Sequence, residues 1–288
     1  MNKVTPVLKW VGGKRQSIPT LQKYYDRLKF KEYHEPFFGG GSVFLDINSK
    51  HQCISHISDF NSDLINLYKD IKSNPDLFIK TLEELKEQYS EKDYYYFRSR
   101  FNGVDREKNE VEKYTGITRS CCLMLLNKTC FNGLYRVNGK GLFNVPKGDY
   151  KNPKILDRDN ILDFSKSLPE VENIHFEDFR DCEKRIKKGD LVYFDPPYHP
   201  LSETSSFTQY TSIFGENEQI ELYQLFKRLD EKGVLVLLSN SSSEFILDMY
   251  KEFKPEFILS GRSINSKGSK RGKVKEVLVV GETIKRIL

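Results

Sequence analysis

The sequence lacks several features that would assign it to other classes of protein. No apolar run approaches the roughly 20 residues that cross a bilayer. Residues 1–6 carry no apolar signal stretch, so we expect a cytoplasmic, intracellular protein with no membrane partner. The five cysteines show no Cys-x-x-Cys spacing, which argues against a disulfide framework and a tetrathiolate zinc site. Cys121 and Cys122 lie in an apolar run and are expected to be buried thiols.

What the sequence does contain is typical of an ordinary globular protein. Its 288 residues are 38% hydrophobic and 30% charged, enough for one substantial core and a smaller second lobe. A formal net charge of +5 permits a polyanionic partner but does not require one. Composition alone therefore leaves the function open.

Hydrophobic periodicity predicts an α/β sheet that is interrupted by an insertion. Near the N-terminus, strand-like and helix-like segments alternate, which is typical of a parallel sheet: strands at 32–38 and 53–58, helices at 43–47 and 61–71. The pattern resumes after about residue 154, with strands at 191–194, 234–238 and 276–280 and a helix at 218–229. Between the two halves, residues 74–127 are mainly helical, and 133–150 read as a β-hairpin or an ordered loop.

The first motif is the run Glu35-Pro36-Phe37-Phe38-Gly39-Gly40-Gly41. Glycines after a strand let the backbone approach a ligand and leave helix-terminal N–H groups free. This is not the dinucleotide pattern Gly-x-Gly-x-x-Gly, so nicotinamide cofactors lose support. Asp59 stands where the second strand ends, a position from which an acid accepts hydrogen bonds from ribose hydroxyls. A tight turn with a helix cap explains the glycines equally well, but Asp59 favours an adenosine-containing ligand.

The second motif is Asp195-Pro196-Pro197-Tyr198, directly after a predicted buried strand. Two prolines fix φ and remove two backbone donors, so the chain leaving the strand is stiff. It presents the Asp195 carboxylate and a proline carbonyl as acceptors, which suits an exocyclic amine, and Tyr198 offers a ring to stack on a flat base. A plain strand-ending turn is the weaker alternative.

The order of the motifs resembles that of Dam-type DNA adenine-N6 methyltransferases, and most closely those of DpnII-type systems, which modify GATC. The resemblance covers almost the whole chain and rests on the blocks at residues 9–14, 35–41, 59–61, 131–136, 143–146, 195–198 and 238–241. It implies a Rossmann-like S-adenosylmethionine-dependent methyltransferase sheet with an inserted DNA-recognition domain. The catalytic domain is then expected at 1–68 and 155–288, and the target-recognition domain at 69–154.

The resemblance also implies S-adenosyl-L-methionine as cofactor and S-adenosyl-L-homocysteine as product. The catalytic residues would be Asp195, Pro196, Pro197 and Tyr198. The cofactor-binding residues would be Trp10, Lys14, Glu35, Phe37, Gly39, Gly40, Gly41, Asp59, Asp178, Phe179 and Asp195. The chain departs from the family at Glu177, where a glycine is common before the Asp-Phe pair.

Target recognition would fall in the basic stretch from 119 to 154, where basic and aromatic side chains interleave. Taken alone, the stretch is better explained as a solvated basic hairpin. The resemblance instead implies DNA contacts from Arg119, Phe131, Asn132, Leu134, Arg136, Asn138, Pro146, Tyr150 and Lys151. Arg136 would read the guanine of GATC, because arginine can bind guanine O6 and N7 with two hydrogen bonds. Asp149 departs from the family, since a basic residue is common there, and a second basic stretch at 266–275 would either touch the DNA backbone or be solvated.

The expected reaction is methyl transfer to N6 of an adenine that has been flipped out of duplex DNA. Asp195 and the Pro196 carbonyl would orient the amine, and neither a metal nor a cysteine nucleophile is needed. No Pro-Cys motif of cytosine C5 methylation appears. Two alternatives stay open: an adenine methyltransferase of this fold with another target, such as GATATC or RNA, and a non-catalytic DNA-binding protein. A cognate GATC endonuclease is an expected functional partner if the enzyme belongs to a restriction-modification system.

Overall fold

The computed structural model describes residues 4–201, 214–261 and 273–288. By the density of its contacts the chain divides into two compact units. Unit 1 comprises Met1–Gly13, Gly39–Leu45 and Asn61–Phe176, and unit 2 comprises Lys14–Phe38, Asp46–Phe60 and Glu177–Leu288. No helix within the described ranges is both long enough and apolar enough to cross a membrane.

A twisted sheet forms the centre of unit 2. The strands of the described chain are β1 (Glu32–Glu35), β2 (Ile54–Asp59), β3 (Ile174–Phe176), β4 (Leu191–Phe194), β5 (Leu235–Ser241), β6 (Glu256–Gly261) and β7 (Lys273–Val280). β3 belongs to unit 1, and the strands of unit 2 are ordered β2-β1-β4-β5-β7-β6. Pairing is parallel from β2 to β5, whereas β7 runs antiparallel to both β5 and β6.

The described ranges contain ten α-helices. They are α1 (Ile18–Tyr25), α2 (Ser42–Asn48), α3 (Ser62–Ser73), α4 (Pro75–Glu91), α5 (Tyr94–Asn102), α6 (Gly116–Thr129), α7 (Arg158–Ser167), α8 (Glu216–Glu231), α9 (Glu244–Met249) and α10 (Glu282–Ile287). The Asn61 side chain accepts a hydrogen bond from Leu64 N, and the Asn74 side chain accepts one from Leu77 N. These two N-caps fix where α3 and α4 begin, and Pro75 is the first residue of α4, a position that proline favours.

The central strands of unit 2 are buried along their whole length. Every residue of β4 and β5 is buried, because helices and loops cover both faces of the parallel part of the sheet. Apolar side chains of β4, β5, β7 and α8 share one core with those of α9, and they include Val192, Phe194, Leu222, Phe226, Val236, Leu238, Ile246, Val277 and Val279. This core holds the carboxyl end of β4 in a fixed position.

The structure confirms the α/β class, the strands expected from apolar runs and the helical character of residues 74–127. It also confirms that Cys121 and Cys122 are buried thiols. Residues 133–150 differ from a regular β-hairpin, because only isolated bridges form there, at Val137–Phe143 and Cys130–Lys147. The Asn138 side chain accepts hydrogen bonds from the backbone of Lys140 and Leu142 and so closes a turn instead of extending a ladder.

Two further expectations are not decided by the fold. Residues 69–154, the predicted target-recognition segment, lie wholly in unit 1, which also contains other segments of the chain. The compact units are defined by packing, so the division into catalytic and recognition domains stays a prediction. The basic stretch at 266–275 lies mostly outside the described residues, and so do the side chains of its last residues.

Candidate active site

The Asp-Pro-Pro-Tyr segment, residues 195–198, begins immediately after the last residue of β4. β4 lies between β1 and β5 and is parallel to both. The carboxyl ends of parallel strands are where open α/β sheets bind ligands. Within β4, Tyr193 is anchored by a 2.9 Å hydrogen bond between its hydroxyl and that of Ser239 in β5. Asp195 therefore lies at the carboxyl-end edge of the sheet, where α/β proteins of this kind bind their ligands.

Lys14 contacts both polar residues of this segment. Its Nζ lies 2.8 Å from Asp195 Oδ1, and the two side chains are only 7% and 16% exposed. The same Nζ lies 4.7 Å from the centre of the Tyr198 ring. The Lys14 carbonyl accepts hydrogen bonds from Ser17 N and Ile18 N at the start of α1, which fixes its backbone. The structure therefore brings together three residues that the sequence predicted to be functional.

Burial dominates the electrostatics of Asp195. Removal from water, with a smaller contribution from the neighbouring Glu276 carboxylate, raises the pKa of its carboxyl to about 6, although Lys14 acts to lower it. Burial also raises the pKa of the Tyr198 hydroxyl well above its ordinary value, with Asp195 adding to the effect. Tyr198 therefore keeps its proton and donates a 3.2 Å hydrogen bond to Glu276 Oε2. At neutral pH Asp195 is mainly ionised and can accept hydrogen bonds.

The buried amide side chains of Gln219 and Asn240 hold residues 195–199 in place through hydrogen bonds. Gln219 of α8 donates from Nε2 to the Pro197 carbonyl at 2.8 Å, and Asn240 of β5 donates to Gln219 Oε1 at 3.0 Å. The Asn240 Oδ1 atom accepts a hydrogen bond from His199 N at 3.2 Å. The Pro197 carbonyl is thereby occupied. Sequence reasoning missed Gln219 and Glu276, because nothing in the local pattern around either residue links it to residues 195–198.

Unit 2 also contains aromatic and acidic residues that are predicted to bind the cofactor. The rings of Phe37 and Phe179 stack with their centres 5.5 Å apart. Glu35 is buried at the end of β1 and accepts a 2.7 Å hydrogen bond from the Tyr33 hydroxyl. Asp59, the last residue of β2, is half-buried. A carboxylate at a strand end and an aromatic pair are the kinds of groups that bind the ribose and the adenine of an adenosyl group.

The departure at Glu177 has a structural explanation. Its carboxylate pairs with the Arg185 guanidinium through two contacts, one of them 2.9 Å long. The next residue, Asp178, accepts a 3.0 Å hydrogen bond from Arg180 N and caps a short 3-10 helix at Phe179–Lys184. Glu177 therefore makes an ion pair that a glycine at this position could not make.

In unit 1 the glycine run packs against Trp10. A Cβ atom at Gly39 would lie 2.9 Å from Trp10 Cδ1, and Gly39 has a φ of +50°. The Tyr68 hydroxyl donates a 2.6 Å hydrogen bond to the Gly39 carbonyl. Trp10 also stacks on Tyr135, and the centres of the two rings are 5.4 Å apart. The two observations at Gly39, a left-handed backbone and a close approach, explain why the position needs glycine.

Gly39→Ala is therefore expected to lower the free energy of unfolding by about 1–2 kcal/mol from the backbone conformation alone. The overlap with Trp10 adds to that loss. Gly139→Ala is the matched control, since no atom lies within 4 Å of the Cβ it would gain. Urea unfolding of both variants measures the difference, and equal midpoints for the two would contradict the close contact.

Unit 1 also carries the residues predicted to contact DNA. The Phe131 side chain is 42% exposed, and Asn132 beside it has a φ of +56°, a left-handed conformation rare outside glycine. Such strain clusters at functional positions. Arg136 is exposed, and its Nε donates a 2.7 Å hydrogen bond to Asn144 Oδ1. Leu134 is half-buried, while Pro146 and Lys151 are exposed.

Three other residues of that prediction have structural partners in unit 1. Arg119 binds Asp63 with two hydrogen bonds, 2.7 Å and 3.0 Å long, so a DNA contact from its guanidinium would compete with this pair. Tyr150 lies under the Lys9 ammonium, 4.8 Å from Nζ to the ring centre. Asn138 closes the turn described above. These contacts do not test whether the three residues bind DNA, so their roles in DNA binding stay predictions.

A half-buried Asp-Pro-Pro-Tyr segment at the end of a central parallel strand is typical of amino-methyltransferases of the S-adenosylmethionine-dependent class. Residues 10–262 match the model of the D12 class of N6 adenine-specific DNA methyltransferases. The chain belongs to this family.

Relatives that match nearly the whole of this chain are methyltransferases as well. The chain is 43% identical over 276 residues to the Type II methyltransferase M1.LlaDCHI of Lactococcus lactis subsp. cremoris, covering 95% of this chain and 94% of the relative. It is 40% identical over 282 residues to the Type II methyltransferase M.MjaIII of Methanocaldococcus jannaschii, covering 93% and 95%. It is 33% identical over 294 residues to the DNA adenine methylase of Escherichia coli, covering 97% and 96%. Membership in the family implies S-adenosylmethionine as methyl donor, DNA as substrate and adenine N6 as acceptor.

Proposed function

We propose that this enzyme methylates adenine N6 within GATC in double-stranded DNA, with residues 195–198 as its catalytic segment. The observation that carries the proposal is the buried Asp195 carboxylate at the end of β4, paired with Lys14 and adjacent to the Tyr198 ring. Asp195 is an oriented anion and the Tyr198 ring is a stacking surface, and a flipped adenine requires both in one place.

Residues of this chain fit the cofactor by their chemistry. Asp59 would accept hydrogen bonds from the ribose, Phe37 and Phe179 would flank the adenine, and Glu35 would lie near the methionine end. Trp10 and the glycines 39–41 belong to unit 1, and their contacts with the cofactor stay predictions from the family resemblance. When bound, S-adenosylmethionine supplies an electrophilic methyl group on a sulfonium that leaves as a neutral thioether.

The chain's own contribution is to orient and stabilise the amine. The Asp195 carboxylate and the Pro196 carbonyl would each accept a hydrogen bond from adenine N6, directing the nitrogen lone pair at the methyl carbon. The Pro197 carbonyl is held by Gln219, which leaves Pro196 for this task. As N6 forms its new bond it becomes positive, and a fixed carboxylate in a dry site stabilises that charge. Tyr198 would stack on the base, while Glu276 holds the tyrosine hydroxyl.

The target adenine must leave the duplex to reach a buried carboxylate, which costs a few kcal/mol of stacking and pairing. Phe131 and Asn132 are the residues proposed to enter the space beside it. Arg136 is proposed to read guanine in the major groove, with Leu134 and Pro146 against neighbouring bases. The exposed Arg136 guanidinium, which the Asn144 side chain orients, supports that role.

Duplexes that differ only in their target test the specificity. With labelled S-adenosylmethionine, we expect label in a GATC duplex and none in duplexes carrying GATATC or GTTC, or in an RNA carrying GAUC. Arg136→Ala should lower the preference for GATC by roughly 1–3 kcal/mol, or about 5- to 150-fold. Lys140→Ala, an exposed cation in the same loop, is the control. Equal labelling of all duplexes would refute GATC, and labelling of none would favour a non-catalytic DNA-binding protein.

A GATC endonuclease is the proposed functional partner. DNA methylated by the chain should resist such an enzyme, and a neighbouring gene for one would support a restriction-modification system. Its absence would favour a solitary methyltransferase.

A further inference from the structure

A second group of chemically active side chains lies in unit 2 and has no part in the reaction described above. It consists of Glu32 and His34 of β1, His56 of β2, and Asp190, which directly precedes β4. We call these four residues the His34 cluster. Ligand atoms of Glu32, His34 and His56 all lie within 4.8 Å of one another.

The strand geometry explains this convergence. Glu32 and His34 are two residues apart on β1, so their side chains leave the same face of the sheet. His56 is the register partner of His34 in the parallel strand β2, which places the two imidazoles side by side, with ring centres 4.7 Å apart. The side chains of Tyr33 and Glu35 leave the opposite face of the sheet, and Glu35 is one of the residues proposed to bind the cofactor. The His34 cluster is therefore separate from the candidate active site.

Asp190 determines which nitrogen of His34 is available. The Asp190 Oδ2 atom accepts a 2.8 Å hydrogen bond from Lys187 N and lies 3.3 Å from His34 Nε2. A carboxylate only accepts, so Nε2 carries the proton and Nδ1 carries the lone pair. His34 is 1% exposed, and its Nδ1 has no hydrogen-bond partner among the described residues. A carboxylate that orients a histidine in this way is typical of metal-binding histidines.

We propose that the His34 cluster binds one divalent ion of the zinc type, with His34, His56 and Glu32 as ligands and Asp190 as the residue that orients His34. Two imidazoles and one carboxylate are a ligand set that zinc accepts in proteins, with the fourth position left to water. The two carboxylates of the cluster balance the charge of the ion.

The site can form if the more exposed His56 ring turns, because the two imidazoles stack with 7° between their planes and a nitrogen lone pair lies in the plane of its ring. Zinc bonds of about 2.0–2.1 Å in a tetrahedron separate the ligand atoms by about 3.3 Å. The His56 Nε2 to Glu32 Oε2 distance is 2.9 Å, so these two ligands need only part slightly, while the widest pair must close from the 4.8 Å limit by side-chain rotation. The cation nearest to Glu32 is Lys187, whose Nζ lies 3.4 Å from Oε1 and whose side chain is 73% exposed. It can turn into solvent when the ion binds.

Metal titration of the full chain tests the proposal. After dialysis against a chelator and its removal, Co²⁺ and Zn²⁺ are added and followed by calorimetry and, for Co²⁺, by visible absorption. We expect one equivalent to bind, with a d–d spectrum of a tetrahedral nitrogen and oxygen site. Zn²⁺ should also raise the melting temperature with increasing concentration, because only the folded chain holds the site.

Variants at Glu32, His56 and Asp190 assign the site without replacing the buried His34 itself. Glu32→Gln and His56→Gln should each weaken binding at least tenfold, and Asp190→Asn should weaken it about 10- to 100-fold through the orientation of His34. His51→Gln and Cys53→Ser, in the same unit but outside the cluster, should bind as the parent does. Melting temperatures without metal show that each variant is folded.

Two results would overturn the proposal. One is a parent chain that binds neither ion up to millimolar concentration, which would make the cluster two histidine–carboxylate pairs that serve packing alone. The other is undiminished binding by the Glu32→Gln/His56→Gln double variant. Neither result bears on DNA methylation, which is measured separately.

Discussion

Replacing Asp195 with alanine is expected to lower the rate of adenine methylation by about 10³-fold or more, since one oriented catalytic group contributes about 10²- to 10⁴-fold. The loss has two physical sources. The amine loses the acceptor that aims its lone pair, and the developing charge on N6 loses its fixed counter-charge. Affinity for S-adenosylmethionine should stay within a few fold, because Asp59, Phe37 and Phe179 provide the proposed adenosine contacts.

Single-turnover methylation of a GATC duplex measures the rate, and equilibrium dialysis with labelled cofactor measures the affinity. Asp248→Ala, at an exposed carboxylate of α9, is the matched control and should behave as the parent. Removing Asp195 leaves the buried Lys14 ammonium without its partner, so the melting temperature must be measured alongside. A folded Asp195→Ala enzyme that retains even a tenth of the parent rate would show that another residue orients the amine.

The environment of Asp195 serves two needs that oppose each other. A dry site strengthens the hydrogen bonds that the carboxylate accepts, yet the same burial raises its pKa to about 6 and favours the protonated form. Lys14 lowers the pKa and so keeps the carboxylate ionised near neutral pH. Glu276 acts in the other direction, while its hydrogen bond with Tyr198 holds the aromatic ring beside the carboxylate.

Strands buried on both faces were the most predictable part of the fold. Leu191–Phe194 and Leu235–Ser241 contain continuous apolar runs because they lie inside the sheet, and such runs are visible in a sequence without any partner. The N-terminal strands and the helices that follow them were predicted for a similar reason, from periodicity and capping residues.

Features that depend on pairing were not predictable. An apolar run predicts a strand at β7, but its antiparallel insertion between β5 and β6 depends on which neighbours it meets. β6 itself was missed, and so were the short elements α1 and β3, whose few residues carry too little periodicity. Turn residues predict a hairpin or an ordered loop at residues 133–150, and which of the two forms depends on pairing; the structure has only isolated bridges there.

The candidate active site also contains residues that the sequence predicts and residues that it does not. Asp195 and Tyr198 could be found because two prolines after a buried strand are chemically unusual. The resemblance predicted Lys14 as a cofactor-binding residue but not its pairing with Asp195, and it did not point to Gln219 or Glu276. All three come from distant parts of the chain, and only folding brings them to residues 195–198. Arg119 shows that a basic residue in a predicted DNA-binding stretch can be engaged by an internal carboxylate, in this case Asp63.

Lys14→Met is expected to move the acidic limb of the pH–rate profile to higher pH. The Lys14 ammonium, 2.8 Å from Asp195, holds the pKa of that carboxyl down to about 6 against the effect of burial. Methionine keeps most of the length and removes the charge, so the pKa of Asp195 rises. Methylation uses the ionised carboxylate, and below the pKa each unit of upward shift lowers the ionised fraction about tenfold.

The profile of kcat/KM against pH between 5 and 9 reports the pKa of the free enzyme and therefore measures this shift. Lys23→Met, at an exposed lysine of α1, is the control and should leave the limb near pH 6. In Lys14→Met the rate should fall most steeply at acidic pH and recover toward the parent rate in alkaline solution, where Asp195 is ionised even without its partner. A uniform loss at every pH, with the limb unmoved, would mean that Lys14 acts on the cofactor or the base and not on the charge of Asp195. Since a purely structural lysine would lower the stability without moving the limb, the position of the limb distinguishes a residue that tunes Asp195 from one that only fills space beside it.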